Sequence, residues 1–389
     1  MAPVVHGPFH LSRSGCSENY DSARSVPENA EAYLSAFDDS QHLPTPRNPF
    51  GEEVSVRHPT RLNGLAAPLV NSSKRYDSSA RQHVGQRIES VLEKSKPMKG
   101  PKLHHYVPQF YLRRFTDASG QLCLWDRDRD RVFRTGPNGV AAENNFYWHE
   151  ELEKLGHDPL VMEKQFSQIE GEVAQITGQW LEWLRDMKPM EKIEVPNINR
   201  ELVSLYIALQ FLRTADAREI LAAFAEQNVY RKPVAEAEKR LLHLSMLWKD
   251  SIRDELAERI RDATWLFGRN LTATPFITSD NPVAFRTGDN AMWLKVGMHS
   301  DGTYSVFPMA PDIVMYCHPK ESPFEKLGRF DCCLSPVTFT EEMVESENSG
   351  QVFMASRFVI SSRDSFDRER EFAKSIGTDL YKPRGKSTK

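Results

Sequence analysis

Several features that assign other proteins to a compartment are missing from this sequence. No run of about 18 apolar residues occurs, so no membrane-spanning helix is expected. The N-terminal stretch lacks both a basic region and a sustained apolar core, which is not the pattern of a secretory signal. The five cysteines are scattered and form no C-x-x-C pair, which favours a reduced, intracellular protein of the cytoplasm.

Charge balance and short motifs exclude further classes. Fifty basic and 54 acidic residues leave a net charge of -4, so only a local basic patch could bind nucleic acid. The sequence also lacks a Walker loop, a G-x-G-x-x-G turn, a G-x-S-x-G elbow and an H-E-x-x-H helix. It therefore has no established signature of nucleotide binding, serine hydrolysis or zinc proteolysis.

Residues 1–100 differ in composition from the rest of the chain. They are rich in Ser, Pro, Asn and Arg, and they cannot bury enough apolar surface to offset the entropy of folding. We predict a mostly disordered N-terminal extension here, with a short helix over 80–94 in which Val84, Ile88 and Val91 follow helical spacing. Residues 101–380 are predicted to form a single domain, and residues 381–389 a flexible basic tail.

The hydrophobic periodicity of the main domain changes along the chain. A hairpin is followed by amphipathic helices over 160–186, 199–227 and 234–262, the last as one helix or two. Asn199 is the expected N-cap of the second helix. Short strands follow from residue 263, and then a helix and a last strand. This order predicts an α+β fold, with a central helical block packed on a small, mainly antiparallel sheet.

Several separated segments resemble one known family. In chain order they are HHYVPQFYLRRF, AAENNFYW, EKQFSQIEGE, LQFLRT, FITSDNPV, VFPMAPDIV and a helix with an Asn before MASRFVISS. Together they resemble the family called domain of unknown function 4238, over residues 103–362. The resemblance implies no particular activity, because the family has no settled biochemical role.

The segment LHHYVPQFYLRRF is the first candidate wall of a site. Its prolines favour extended geometry, so His104 and His105 should point to opposite sides. The family-like pattern begins at His105, which would be a general base or a metal ligand; the alternative is a buried imidazole bonded to the backbone. Gln109 and Arg113 share a helix face, where Arg113 would bind an anion or pair with an internal Glu. Arg114 is expected at the surface.

Polar side chains in apolar surroundings mark further segments. Glu143, in AAENNFY, would be a helix cap, a metal ligand or a catalytic carboxylate. Glu163 and Glu170 lie two helical turns apart, about 10 Å along the axis, which is too far to hold one small ion together. The resemblance favours Glu170. Gln210 and Arg213 share a face of an apolar helix, where they would pair with Glu143 or Glu170 or line a pocket.

The segment TSDNP, directly after the strand-like PFI, presents Asp280. A carboxylate at the end of a strand is often directed into a cleft, where it can bind a divalent ion through its oxygens. The alternative is a turn in which Asp280 bonds its own backbone and fixes the path of the chain.

These residues support an enzyme hypothesis, a metal-assisted hydrolase of phosphodiester bonds that resembles a nuclease. It would place three ligands around one Mg²⁺ or Mn²⁺ ion: His105, Glu143 and Asp280. The other catalytic candidates would neutralise charge on an anionic or nucleic-acid substrate: Arg113, Gln210 and Arg213.

The alternative hypothesis is a binding or sensing module without enzymatic activity, in which the same polar residues form a buried structural network. It predicts an apolar pocket for an anionic small molecule or peptide, with an arginine at its mouth and no clustered carboxylates. A third possibility is that the motifs are structural and that a partner binds elsewhere, for example on the N-terminal extension.

Overall fold

The structure is a computed structural model that describes residues 102–376, with gaps at 149–157, 159, 227–232, 249, 296–301 and 322–323. Two larger sheets and a layer of helices make up the described residues. The predicted N-terminal extension, with its helix over 80–94, and the basic tail over 381–389 both lie outside them.

The larger sheet has six strands in the order β11-β5-β10-β9-β7-β8. Neighbouring strands are antiparallel except β11, which runs parallel to β5. Branched and aromatic side chains, which suit a pleated surface, dominate its long central strands. The strands are β5 (Thr264–Arg269), β7 (Ala284–Thr287), β8 (Trp293–Leu294), β9 (Thr303–Ala310), β10 (Ile313–His318) and β11 (Cys333–Leu334).

The second sheet is antiparallel and joins segments that are far apart in the sequence. Its order is β3-β2-β12-β6, so that β12 lies between the hairpin β2–β3 and the short strand β6. The hairpin confirms the predicted one. A separate two-stranded ribbon pairs β1 with β4. These strands are β1 (Leu103–His105), β2 (Leu122–Asp126), β3 (Arg131–Thr135), β4 (Ala142–Asn144), β6 (Thr278–Ser279) and β12 (Phe358–Ser361).

The helical layer packs on the six-stranded sheet through aromatic contacts. Trp180 of α2 lies 6.0 Å from Trp265 of β5, and Phe211 of α3 lies 4.9 Å from Phe285 of β7, measured between ring centroids. Within the described ranges, none of the helices has the length and apolar character that a bilayer span requires. The helices are α1 (Gln109–Leu112), α2 (Val161–Asp186), α3 (Asn197–Leu212), α4 (Ala215–Ala225), α5 (Glu236–Trp248), α6 (Asp250–Asp262), α7 (Glu341–Met354) and α8 (Asp367–Ile376).

The mixture of helices with mainly antiparallel sheets confirms the predicted α+β class. Some local predictions were wrong. Asn199 lies inside α3, whose N-cap is Pro196. The helix predicted over 199–227 is two helices, because Thr214 starts a new one: its hydroxyl accepts the Ala217 N–H at 3.2 Å. No helix was predicted between the last strand and the basic tail, where the structure has α8.

Candidate functional site

The two adjacent histidines of β1 point in opposite directions. In the antiparallel β1–β4 ribbon, His104 pairs with Glu143 and His105 pairs with Ala142. Because neighbouring side chains alternate, His104 and Glu143 share one face and His105 lies on the other. The buried His104 ring stacks on Tyr147 and accepts its backbone N–H at 3.1 Å through Nδ1. The histidine on the Glu143 face is therefore His104.

His105 belongs instead to a polar chain near the surface. Its Nε2 lies 2.9 Å from the Asn138 carbonyl oxygen and 3.3 Å from Gln109 Nε2. Arg113 donates to the side-chain oxygen of Gln109 at 2.9 Å and is exposed. The shared helix face of Gln109 and Arg113 is thus present, and it leads outward from His105.

Arg114, which we expected at the surface, is half-buried, and this corrects the prediction. Its guanidinium donates to the Thr177 hydroxyl of α2 and to the Met309 carbonyl oxygen of β9. Burial lowers the pKa of Arg114 from its usual value. The arginine that holds the short helix α1 against the domain is therefore Arg114, and Arg113 faces solvent.

Gln210 and Arg213 form a buried network with the segment that follows β1. Both side chains donate to the Tyr106 carbonyl oxygen, each at 3.0 Å. Arg213 also donates to Glu170 at 2.7 Å and to the Gln210 side-chain oxygen at 3.2 Å. Arg213 is only 2% exposed, so these contacts take the place of water around its charge. Of the two carboxylates considered as partners, Glu170 is the one bonded to Arg213.

Asp280 holds a distant strand. Its carboxylate accepts the backbone N–H groups of Ser356 at 2.9 Å, Arg357 at 2.8 Å and Phe358 at 3.0 Å, where β12 begins. Its own N–H donates to the Phe358 carbonyl oxygen at 3.0 Å. Burial raises the pKa of Asp280 to about 6, against the lowering effect of the three N–H donors.

The turn after Asp280 is closed by other residues. The Ser279 hydroxyl accepts the Asn281 N–H at 3.2 Å and donates to Gln351 of α7 at 3.1 Å. The Asn281 amide donates to Asp216 of α4 at 2.9 Å, and Lys295 donates to the same carboxylate oxygen at 3.0 Å. The TSDNP segment therefore connects the four-stranded sheet to two helices.

Three charged side chains shift the pKa of one tyrosine, and we call this group of four the Tyr106 niche: Tyr106, Glu143, Arg218 and Asp280. Burial raises the pKa of Tyr106 well above its usual value, and the carboxylates of Asp280 and Glu143 raise it further. The Arg218 guanidinium lowers it. Such charge effects weaken with distance, so the four groups lie in one region of the domain.

Arg218 is the cation of the niche. It is 7% exposed, and its guanidinium stacks 4.4 Å from the centroid of the Phe146 ring. Its Nη2 contacts Glu143 at 3.2 Å. Its Nε and Nη1 are buried and make no hydrogen bond within the described part of the chain, although Glu219 lies 4.0 Å from Nε. Three of the five N–H groups of this guanidinium thus have no acceptor among the described side chains and backbone.

The three predicted metal ligands are not assembled into one ligand set. Glu143 and Asp280 both belong to the niche, but His105 lies on the opposite face of β1 from Glu143. Glu143 contacts Arg218, and Asp280 accepts three backbone N–H groups. No group of three His, Cys, Asp or Glu side chains that could hold a metal ion occurs among the residues that the structure describes.

Four residues at this site are not predicted from the sequence: Tyr106, Asp216, Arg218 and Lys295. Tyr106 has the pattern of a core aromatic residue, and its ring does pack against Phe146. Asp216 and Arg218 lie in ADAREI, which is typical of a solvated first helical turn. One feature of the sequence could have pointed to them: both charges come directly after Gln210 and Arg213, the polar pair at the end of α3.

An apolar groove lies elsewhere in the helical layer, and we call it the α2–α3 groove. Its walls are mainly Met, Phe, Ile and Leu side chains, and its polar residues include Arg253 and Glu172. The binding hypothesis expects a pocket of this composition, with apolar walls, an arginine and no clustered carboxylates. None of the six predicted site residues lines the groove.

Comparison with known proteins identifies a family and nothing more specific. A family model described as a protein of unknown function, DUF4238, matches residues 103–365. No curated protein matches the chain, and no solved structure matches it. The matched region covers well over half of the 389 residues and includes the whole Tyr106 niche. The chain belongs to the DUF4238 family.

Proposed function

We propose that the domain is a binding module that holds a small anionic group, a carboxylate or a phosphate, at Arg218. The observation behind this proposal is a buried guanidinium with two nitrogens that make no hydrogen bond to any residue that the structure describes. A buried polar group without a partner costs about 1–3 kcal/mol. An anion would remove that cost through short, charge-assisted hydrogen bonds.

The position of Glu143 supports a route for the ligand. The Glu143 side chain is 40% exposed and covers Arg218, which is 8% exposed. An anion that displaces Glu143 would reach the guanidinium from solvent and leave the carboxylate free to be hydrated. Phe146, stacked on the guanidinium, would keep its plane fixed during the exchange.

Thermal unfolding of the full chain tests this function. Inorganic phosphate and acetate are added at constant ionic strength, with chloride as the balancing salt. At ten times its Kd, a ligand that binds only the folded chain adds about 1.4 kcal/mol of stability, which raises Tm by about 3–5 °C. Arg218→Gln should abolish the response. Glu143→Gln should enlarge it, because the ligand no longer competes with a carboxylate of the chain.

Arg113→Gln is the matched control, since Arg113 is an exposed arginine whose side chain makes a single described hydrogen bond. It should leave the response to both anions unchanged. An Arg218→Gln chain that still responds like the wild type would rule out Arg218 as the binding residue. An equal rise in Tm with chloride would show that the response is a general effect of salt and not anion binding at Arg218.

Phosphodiester hydrolysis is the second candidate function, favoured by the convergence of two carboxylates, a phenol and a guanidinium in one niche. Arg218 would bind the phosphate. Asp280, with a pKa of about 6, would exchange a proton near neutral pH. The ligand set for a metal ion is not assembled by His105, Glu143 and Asp280, so no step is assigned to one.

The two functions predict opposite effects of Glu143→Gln. Anion binding should strengthen, whereas hydrolysis of bis(p-nitrophenyl) phosphate should decrease. Thermal unfolding in the presence of Mg²⁺ or Mn²⁺ tests the metal-assisted form of the hydrolase. Stabilisation by either ion that is lost in Asp280→Asn would support that form, and an unchanged Tm with both ions would oppose it.

A further inference from the structure

The α2–α3 groove is a small apolar cavity in the helical layer, with a volume of about 70 Å³. Its apolar walls include three residues on each of two helices, together with Leu247 of α5: Met162, Phe166 and Ile169 on α2, and Leu202, Leu205 and Leu209 on α3. Both sets recur at intervals of three and four residues, so each forms one stripe along its helix.

The apolar stripe of α3 continues beyond the groove. Ile198 lies one turn before Leu202 on the same helix and is 47% exposed. Leu202 and Ile169 are half-buried. Two apolar stripes, one of them with an exposed apolar residue at its end, offer side-chain contacts to an amphipathic helix.

One segment of this chain has the complementary sequence pattern. Residues 80–94, which lie outside the described residues, carry Val84, Ile88 and Val91 at intervals of four and three. These are the intervals found on the groove walls. Leu92 adds to the same apolar side, and Pro97 would end a helix shortly after it.

The place where the described chain begins is close to the groove. The His104 ring of β1 stacks on Tyr147 at 5.9 Å, and Tyr147 contacts Phe166 of the groove at 5.0 Å, measured between ring centroids. From residue 92 to residue 103 the chain can span up to about 36 Å. A segment on so short a tether has an effective concentration near the groove of the order of millimolar.

We propose that residues 84–92 dock as a helix in the α2–α3 groove of the same chain, with Ile88 as the central apolar contact. The docked segment covers Ile169, Leu202 and Ile198. Any external peptide that uses this groove then has to compete with the tethered segment. The groove shares no residue with the Tyr106 niche, so this proposal and anion binding stand or fall separately.

Fluorescence anisotropy of a labelled synthetic peptide of residues 80–94 tests the proposal. In the full chain, Ile88→Asp should free the groove, and this variant should bind the peptide at least ten times more tightly than the wild type. Ser90→Asp, on the opposite side of the predicted helix, is the control and should behave like the wild type. Adding Ile198→Asp to the Ile88→Asp chain should abolish peptide binding. Because Ile198 is about half exposed, that variant should keep the Tm of its parent.

Three results would overturn the proposal. The first is a peptide that does not bind the Ile88→Asp chain. The second is equal binding to the wild type and to Ile88→Asp. The third is binding that persists after Ile198→Asp in a folded chain. Light scattering provides a further test, because docking within one chain predicts the same molar mass for the wild type and for Ile88→Asp. A wild-type dimer that dissociates in Ile88→Asp would place the segment on a second copy instead.

Discussion

Arg213 donates from Nε to the carbonyl oxygen of Tyr106 at 3.0 Å, and this contact joins α3 to the segment that follows β1. The same guanidinium binds Glu170 of α2 through Nη1 at 2.7 Å. One buried side chain thus connects three parts of the domain that are more than forty residues apart in the sequence. A lysine could not replace it, because an ammonium donates from one nitrogen, whereas this guanidinium reaches its partners from three nitrogens held in a rigid plane.

Arg213→Ala should lower the free energy of unfolding by about 3 kcal/mol, because it leaves buried oxygens without their donor. Arg113→Ala is the comparison, because Arg113 is also a candidate site residue but is exposed. Its effect on the free energy of unfolding should stay within about 0.5 kcal/mol. Urea unfolding of both variants gives the two values. Equal effects would contradict the structural role assigned to Arg213.

Asp280 should make stability depend on pH in an unusual direction. Burial raises its pKa from 3.8 to about 6, so the folded chain holds this proton more tightly than the unfolded chain. Its contribution is therefore complete below about pH 4 and is lost as the pH rises through 6. The stability of the wild type relative to Asp280→Asn, which cannot ionise, should fall by about 3 kcal/mol over this range.

Asp289 provides a control of opposite sign for the same titration. A hydrogen bond from Thr287 lowers the pKa of Asp289, so its contribution is lost as the pH falls. In urea unfolding relative to the wild type, the stability difference for Asp280→Asn should change between pH 4 and 7.5. The difference for Asp289→Asn should stay constant over that range and change with the opposite sign below about pH 4. A pH-independent difference for Asp280→Asn would show that its carboxyl titrates normally in the folded chain.

Glu163 should destabilise the domain at alkaline pH. Burial raises its pKa to about 7, the Glu170 carboxylate adds to the increase, and Arg213 opposes it. Since the folded-state pKa lies above the usual 4.5, stability is lost as the pH rises through 7. Glu163→Gln should therefore raise Tm at pH 8 and leave it nearly unchanged at pH 5. The same Tm difference at both pH values would contradict this prediction.

Two glycines in helices should respond to alanine with opposite signs. A Cβ at Gly350 of α7 would lie 2.6 Å from the Trp293 ring, whereas a Cβ at Gly178 of α2 would meet nothing within 4 Å. Gly350→Ala should cost about 1–3 kcal/mol through overpacking. Gly178→Ala should add about 0.5–1 kcal/mol through helix propensity. Urea unfolding measures both changes, and the smaller, ringless side chain of Trp293→Leu should relieve the first.

The periodicity of the sequence predicts those parts of the fold that depend on neighbours in the chain. The stripe that includes Trp180 places α2 within a residue or two of its observed bounds, and the hairpin strands are equally clear. The break before α4 is different, because Thr214 stops one helix and caps the next within a continuous apolar pattern. A cap of this kind competes with helix continuation, and the packing of the finished domain decides between them.

The site was harder to predict because its contacts cross long distances in sequence. Glu143 meets Arg218 across 75 residues, and Asp280 meets the backbone of Phe358 across 78. Polarity in an apolar stretch indicates that a residue needs a partner, as it did for Arg213, but it does not identify the partner. The resemblance to the family identified the segments that contain Asp280, Glu143 and Arg213. The charged residues between them, such as Arg218, carried no pattern of their own.

The position of β12 has a consequence for synthesis on the ribosome. This strand lies between β2 and β6 and bonds to both, yet it is one of the last strands to be made. At about 5–20 residues per second, its last residue, Ser361, emerges roughly 10–50 s after β2. Until then the inner edge of the hairpin has open backbone groups that another nascent chain can pair with. The four-stranded sheet therefore cannot close until the C-terminal part of the chain has been made.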